Sequence, residues 1–346
     1  MYSKICDIEN IYDAYIKARR NKRYKEEILR YSYNIENNLE NIKHDLEAKT
    51  YKHGKYYEFV VNDSKKRVIK AAPFKDRIIH HAVCNIIEPI FDKKFIYDSY
   101  ACRKDKGLHK AIKRFKKFLR IIKTKNNLEN YDNIYCLKCD IVKYFKSVDK
   151  VVLIELIERN IFNKEVLNLI KIILDSNKIG LPIGNLTSQL FANIYLHELD
   201  FYIKNVLKCK YYIRYMDDFV ILGLNKKDLW IKYEKIKFFV LNKLKLKIDD
   251  QKTKLTPLKK GVDFLGFTIL SNKIKLRKST IKRFKKKINI QMKYIKNEEK
   301  LRFLAIKFFH WKSYYVGADV HMFAKRLFCV WGEKYDKNIW EWGNMV

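Results

Sequence analysis

Residues Tyr211–Gly223 read "YYIRYMDDFVILG". β-Formers flank two adjacent aspartates, Asp217 and Asp218, and the pattern predicts a β-hairpin with Met216 and both carboxylates near its tip. A carboxylate set in an apolar strand is costly unless it is paired or holds a cation. Neighbours on a strand point to opposite faces, so only a tight turn brings both toward one site. A third carboxylate, Asp140, ends the strand-like run "NIYCLKCDIVKYF" (Asn133–Phe145). Such hard oxygen ligands suit Mg²⁺. Two ions about 3.5–4 Å apart activate an attacking hydroxyl and stabilise a leaving oxygen.

The partner of this chemistry is foreshadowed by charge. The 346 residues carry 74 Lys plus Arg against 39 Asp plus Glu, a formal balance of +35. An AT-rich coding bias raises lysine but does not lower the acids. A balance this large calls for a polyanion, nucleic acid ahead of an anionic membrane surface. No apolar run approaches the ~18 residues of a membrane span. The start, "MYSKICDIEN", lacks the regions of a signal peptide. Seven scattered cysteines read as reduced thiols and place the chain in the cytoplasm. The pair Cys136 and Cys139 has no second ligand pair for zinc.

Outward from the hairpin, residues 1–52 read as two or three polar helices. A hairpin spans Tyr56 to Lys70 with its turn at "NDSKK", and a helix follows Pro73. In the next helix Leu108, Ala111, Ile112, Phe115, Leu119 and Ile122 make an apolar stripe at helical spacing. Lys106, Lys110, Lys113, Arg114, Lys116, Lys117, Arg120 and Lys123 cover the remainder, a phosphate-facing surface. A helix is expected from about Lys227 to Leu244, one hairpin from "VDFLGFTIL" and "NKIKL", and basic helix from Ser279 onward. Hairpins mixed with helices make the class α+β.

The motifs together resemble a reverse transcriptase of the bacterial, group II intron-like class. "YMDD" and "CDIVKYFKSVD" carry the likeness, joined by "KKRVIKAAPFKDRIIHHAV", "DSYACRKDKGLHKAI", "GLPIGNLTSQLFANIYLHELD", "LKLKIDDQKTKL" and "VDFLGFTI", in order from Lys65 to Ile269. "FFHWKSYYVGADVHMFAKRL" is similar to the thumb segment that follows. The resemblance implies a right-hand polymerase: a helical extension over 1–55, fingers and palm with an antiparallel sheet over 56–275, and a helical basic thumb over 276–346. Its implied cofactor is a pair of Mg²⁺ ions, replaceable by Mn²⁺, on Asp140, Asp217, Asp218 and the Ile141 carbonyl.

Further roles follow from the same resemblance. Phe145 screens the sugar 2′ position of the incoming dNTP. Arg77, with Lys70 or Arg67, meets the triphosphate, and Lys252 lies near the leaving pyrophosphate. Arg103 sits near the template or the incoming nucleotide, and Lys110, Lys113 and Arg114 contact template and primer.

The fourth block narrows the class. Where group II intron enzymes read "PQG" followed by "SP", this chain has "LPIGNLTSQ", with Ile183 for the expected Gln and Gln189 for the expected Pro. Both departures look like reverse transcriptases of diversity-generating retroelements, which are bacterial, archaeal or phage-encoded. These copy a template-repeat RNA into adenine-mutagenised cDNA, with a small helical pentameric accessory protein as partner. Trp311, Tyr314, Tyr315, Trp331, Trp340 and Trp342 belong to the thumb core or meet a partner. A group II-like, retron or defence-associated enzyme of ordinary fidelity is the alternative. A non-catalytic RNA-binding scaffold is another, against which the three intact aspartates argue.

Overall fold

The computed structural model describes residues 1–62, 65–271 and 273–293. The aromatic C-terminal residues named above, the thumb segment beyond 293, and Asp63 and Ser64 of the first hairpin's turn lie outside them.

Four helices open the chain: α1 (Tyr2–Cys6), α2 (Ile8–Ala18), α3 (Glu26–Tyr33) and α4 (Ile35–Glu47). The sequence suggested two or three. Short polar residues make the extra breaks: Asp7 caps α2 by accepting the Glu9 N–H, and Asn34 interrupts α3 and α4. These helices are not merely polar, since Ile5, Ile11, Ala14, Ile28, Ile42 and Leu46 are buried. α1, α2 and α3 pack on α5 (Phe74–Asp92), and α4 packs on the other three.

Between them β1 (Tyr57–Asn62) and β2 (Lys66–Ala71) form an antiparallel ribbon in the register Tyr57↔Ala71 to Asn62↔Lys66. β1 is exposed along its whole length. After α5 comes α6 (Leu108–Lys125). Ala111, Ile112, Phe115, Leu119 and Ile122 are buried as their spacing predicts, and Phe118 joins them.

Next come β3 (Tyr135–Asp140), the one-turn α7 (Tyr144–Ser147), α8 (Lys150–Glu158), α9 (Lys164–Asp175) and α10 (Leu186–Phe201). β4 (Tyr212–Tyr215) and β5 (Asp218–Gly223) form the central hairpin, followed by α11 (Lys226–Leu244) and β6 (Lys254–Pro257). The sheet order is β4-β5-β3-β6, which sets the strand ending in Asp140 directly beside the one beginning with Asp218.

The expected hairpin near residue 265 is instead a three-stranded meander: β7 (Val262–Phe264), β8 (Phe267–Ile269) and β9 (Ile274–Leu276). Leu265 and Gly266, at φ 51° and 86°, insert a two-residue turn inside the apolar run, which hydrophobicity alone does not reveal. α12 (Lys278–Lys293) follows.

By contact density the chain divides into two compact units. One holds residues 1–115, 137–221 and 227–254, and the other holds 116–136, 222–226 and the described residues from 255 on. All the candidate catalytic residues belong to the first. No helix among the described residues is long and apolar enough to cross a membrane.

Candidate active site

The β4–β5 turn is built by its backbone. Tyr215 pairs with Asp218, leaving Met216 and Asp217 as a two-residue loop, with Met216 in the left-handed region at φ 56°. That turn breaks the strict alternation of the strand, so Asp217 projects from the loop and Asp218 from the start of β5.

Burial raises the pKa of Asp217, and the charge of Asp140 adds to the effect. Burial likewise pushes Asp218 up to about 6; Lys138 opposes this, while Asp140 and Asp217 reinforce it. The charge of Asp140 therefore reaches both Asp217 and Asp218, and that of Asp217 reaches Asp218.

Lysines balance the cluster. Lys138 stands 3.2 Å from Asp218 Oδ2, and Lys252 Nζ donates to Asp140 Oδ1 at 2.6 Å. Among the described residues no three His, Cys, Asp or Glu side chains are arranged to share one metal ion. The donor set nevertheless suits a hard cation. Asp218 Oδ1 is buried without a hydrogen-bond partner among the described residues; Lys138 meets only the other oxygen, and Asp140 and Asp217 add repulsion. The backbone of Ile141 is placed by its neighbours. Asp249 N–H donates to the Asp140 carbonyl and Val142 N–H to the Lys247 carbonyl, so Ile141 and Ile248 form the non-hydrogen-bonded pair between them. The Ile141 carbonyl is turned away from that ladder.

Phe145 lies on α7, five residues beyond Asp140. The aromatic that fills the core is its neighbour Tyr144, 2% exposed, whose hydroxyl donates to the Ala192 carbonyl at 2.6 Å; Phe145 is half-buried. The Phe145 carbonyl accepts the Leu181 N–H at 2.7 Å. Gly180, at φ 57°, makes that approach possible, since a Cβ there would lie 2.3 Å from the same carbonyl. The loop then reaches the ribbon, where the Ile183 carbonyl accepts the Lys70 N–H at 2.9 Å. A Cβ on Gly184 would come within 2.8 Å of the Lys70 carbonyl. One loop thus ties Phe145 and Ile183 to the β1–β2 ribbon. Gln189 is half-buried near the start of α10.

The cationic residues fare differently. Arg67 of β2 acts electrostatically on Asp217, whereas Lys70 pairs with Glu58 at 3.0 Å. Arg77 forms an ion pair with Glu27, its Nη2 at 2.8 and 2.7 Å from the two carboxylate oxygens, and donates to the Ala72 carbonyl. Arg103 is held by the protein's own groups. Its side chain is 7% exposed, bonded to Asp92 and to the Ile96 and Ser99 carbonyls, and it sits over the Phe95 ring. With four hydrogen bonds to Asp92, Ile96 and Ser99, the guanidinium staples the segment after α5. Lys110 and Lys113 are exposed on α6, while Arg114 is drawn to Asp98 at 2.7 Å.

Sequence reading missed two supports. Lys138 was legible in principle, since it lies two residues before Asp140 and thus on the same face of β3. The buried pair of Arg214 with Asp200 was not, because nothing local links "YIRY" to "HELD". Both are 0% exposed, and Arg214 Nε and Nη2 donate to the two Asp200 oxygens at 2.7 and 2.6 Å. Removing either partner alone strands a buried charge, at a cost of about 3–5 kcal/mol.

A sheet that gathers three aspartates from one strand end and an adjacent hairpin turn, flanked by helices, defines a polymerase palm. Residues 52–269 match the model of the reverse transcriptase (RNA-dependent DNA polymerase) family, and the chain belongs to that family. It is 27% identical to the group II intron-encoded protein LtrA of Lactococcus lactis subsp. cremoris over 64% of this chain and 47% of that one. It is 24% identical to protein YkfC of Escherichia coli (strain K12), covering 60% of this chain and 64% of the relative. The chain thus spans about half the length of the intron-encoded relative. Among solved structures it shares the fold of apo telomerase from Candida tropicalis, with a TM-score of 0.56, 14% identity, and coverage of 75% of this chain and 53% of that one. Telomerase from Candida albicans in complex with a TWJ fragment of telomeric RNA gives a TM-score of 0.53 at 12% identity, covering 87% and 62%.

Proposed function

We propose that this chain is an RNA-directed DNA polymerase that copies a template-repeat RNA into adenine-mutagenised cDNA for the diversification of a target gene. Membership of the reverse transcriptase family, together with the buried Asp218 oxygen that has no hydrogen-bond partner among the described residues and sits in the field of Asp140 and Asp217, carries the polymerase reading. Residues 56–275 serve as fingers and palm and 276–346 as thumb on this reading, with 1–55 as an extension packed on α5.

Asp140, Asp217, Asp218 and the Ile141 carbonyl are the groups that would hold two Mg²⁺ ions, or Mn²⁺ in their place. When bound, such ions neutralise the developing charge and activate the primer hydroxyl. The chain's own residues do the rest. Lys252, which pairs with both Asp140 and Asp249, is the cation assigned to the departing pyrophosphate. Arg67 on the ribbon offers paired donors to the triphosphate.

Phe145, presented half-buried beside the fourth-block loop, closes the space a 2′-hydroxyl needs. Phe145→Ala should therefore incorporate ribonucleotides in direct competition with deoxynucleotides. An unchanged preference in the variant would leave Phe145 a packing residue.

The retroelement reading rests on Ile183 and Gln189. Ile183 has no side-chain donor or acceptor with which to test the geometry of the nascent pair. A missing bond of about 1 kcal/mol relaxes selectivity several-fold. Pairs with two hydrogen bonds, those of template adenine and of template uracil alike, are the more vulnerable; the focus on adenine comes from the family resemblance and not from this count. Wild-type cDNA should carry errors mainly opposite template adenine, and Ile183→Gln should carry fewer on the same RNA. The intron-encoded relatives favour one alternative, a group II-like enzyme of ordinary fidelity, which low and evenly spread wild-type errors would establish. A basic pentameric accessory protein is the proposed partner, and the cytoplasm the proposed compartment.

A further inference from the structure

Arg214 heads the fully buried side chains among the described residues, yet it carries a charge. A buried ion pair adds little net stability over apolar packing, so its placement asks for another reason. Three connections supply one.

First, its backbone is pinned to a neighbouring loop: Arg214 N–H donates to the Asp98 carbonyl at 3.0 Å, and its carbonyl accepts the Tyr100 N–H at 2.9 Å. Second, its guanidinium is aimed by α10, with Nε and Nη2 on the two Asp200 oxygens and Nη1 on Asn193 Oδ1 at 3.1 Å. The Tyr212 hydroxyl also donates to Asp200 at 2.7 Å and fixes that carboxylate in turn. Third, Nη1 reaches forward to the Met216 carbonyl at 3.2 Å.

The third connection bears on the polymerase site. The Met216 carbonyl and the Asp217 N–H belong to one planar peptide. Holding the carbonyl inward fixes the plane, and with it the direction in which the chain leaves toward the Asp217 side chain. The left-handed Met216, at φ 56°, is a conformation that a non-glycine residue keeps only when its surroundings impose it.

We propose that Arg214, aimed by Asp200 and Asn193, is a positioning residue that locks the Met216–Asp217 peptide and so sets the Asp217 carboxylate; this rests on the polymerase reading. Arg214 touches neither substrate nor reacting atoms. It acts through one carbonyl.

The test uses the full chain and single-nucleotide incorporation on a primed RNA template. Three proteins are compared: wild type, Arg214→Lys, and the double variant Arg214→Met/Asp200→Leu, which replaces the buried pair by apolar groups of similar size. The readout is the incorporation rate constant, with burst amplitude, dNTP KM and template affinity measured beside it. Loss of folded enzyme lowers only the amplitude, whereas a misplaced Asp217 lowers the rate constant. We expect the rate constant to fall about 10- to 100-fold in the double variant, with KM and template affinity nearly unchanged. Arg214→Lys should fall less than the double variant, since its ammonium keeps a donor for one of these partners, but it should still fall, since one ammonium cannot span both Asp200 oxygens and Met216. A wild-type rate constant in a folded variant overturns the proposal. If the double variant fails to fold, Arg214→Lys decides it by the same criterion. Absence of incorporation by the wild type would instead sink the polymerase reading.

Discussion

Asp217→Asn should abolish DNA synthesis while the protein stays folded. The amide matches the carboxylate in shape, so packing around the turn survives. What disappears is one of the three negative charges that act on one another across β3 and the β4–β5 turn. Loss of a group acting as part of such a unit costs on the order of 10⁴-fold in rate. Stability should move the other way. The pKa of Asp217 is raised by burial and by Asp140, so its ionised form works against folding above the ordinary carboxylate range. That penalty fades as the pH falls through the range. In chelating buffer at neutral pH the variant should therefore melt no lower than wild type. Full-length cDNA from folded Asp217→Asn, or from Asp140→Ala, would overturn the catalytic assignment.

RNA binding should be strongly salt-dependent. The balance of +35 is spread along the chain, but α6 concentrates it: Lys110, Lys113, Lys117 and Arg120 are exposed opposite a stripe buried at Ala111, Phe115, Leu119 and Ile122. Each phosphate neutralised releases condensed counterions. Binding across roughly 6 to 10 phosphates lowers affinity by about 10³- to 10⁵-fold between 50 and 200 mM salt. Fluorescence anisotropy across that range gives the slope. Neutralising Lys113, Lys117 and Arg120 together should flatten it by about one unit for each phosphate no longer engaged. A flat response in the wild type would remove α6 and the basic balance from the account of RNA binding.

The supports of the site divide by how local they are. The ribbon, α6 and the central hairpin were legible because each is written in a short period. Alternation marks a strand, three-to-four spacing marks a helix, and each selects a buried face without reference to the rest of the chain. The meander at Val262–Leu276 reads as one hairpin in the sequence because its extra turn is made by backbone dihedrals at Leu265 and Gly266, not by a change in hydrophobicity. Arg77 and Arg103 show the same limit in side chains. A guanidinium near a motif is equally able to meet phosphate or protein, and the protein partners these two have, Glu27 and Asp92, lie 50 and 11 residues away.

By itself, then, the sequence determined the three aspartates, the strand and turn that carry them, the basic helix and the departures at Ile183 and Gln189. These are properties of residue type and near spacing. Tertiary structure alone decided that β5 lies beside β3, so that Lys138 meets Asp218, and that one loop joins Phe145 to the ribbon through Leu181 and Ile183. It also decided that Arg214 finds Asp200 and, through Nη1, the carbonyl beside the catalytic turn. The physical reason is that a charge or a carbonyl inside a protein must be matched by whichever partner the fold brings within about 3 Å. Chain order does not encode that distance.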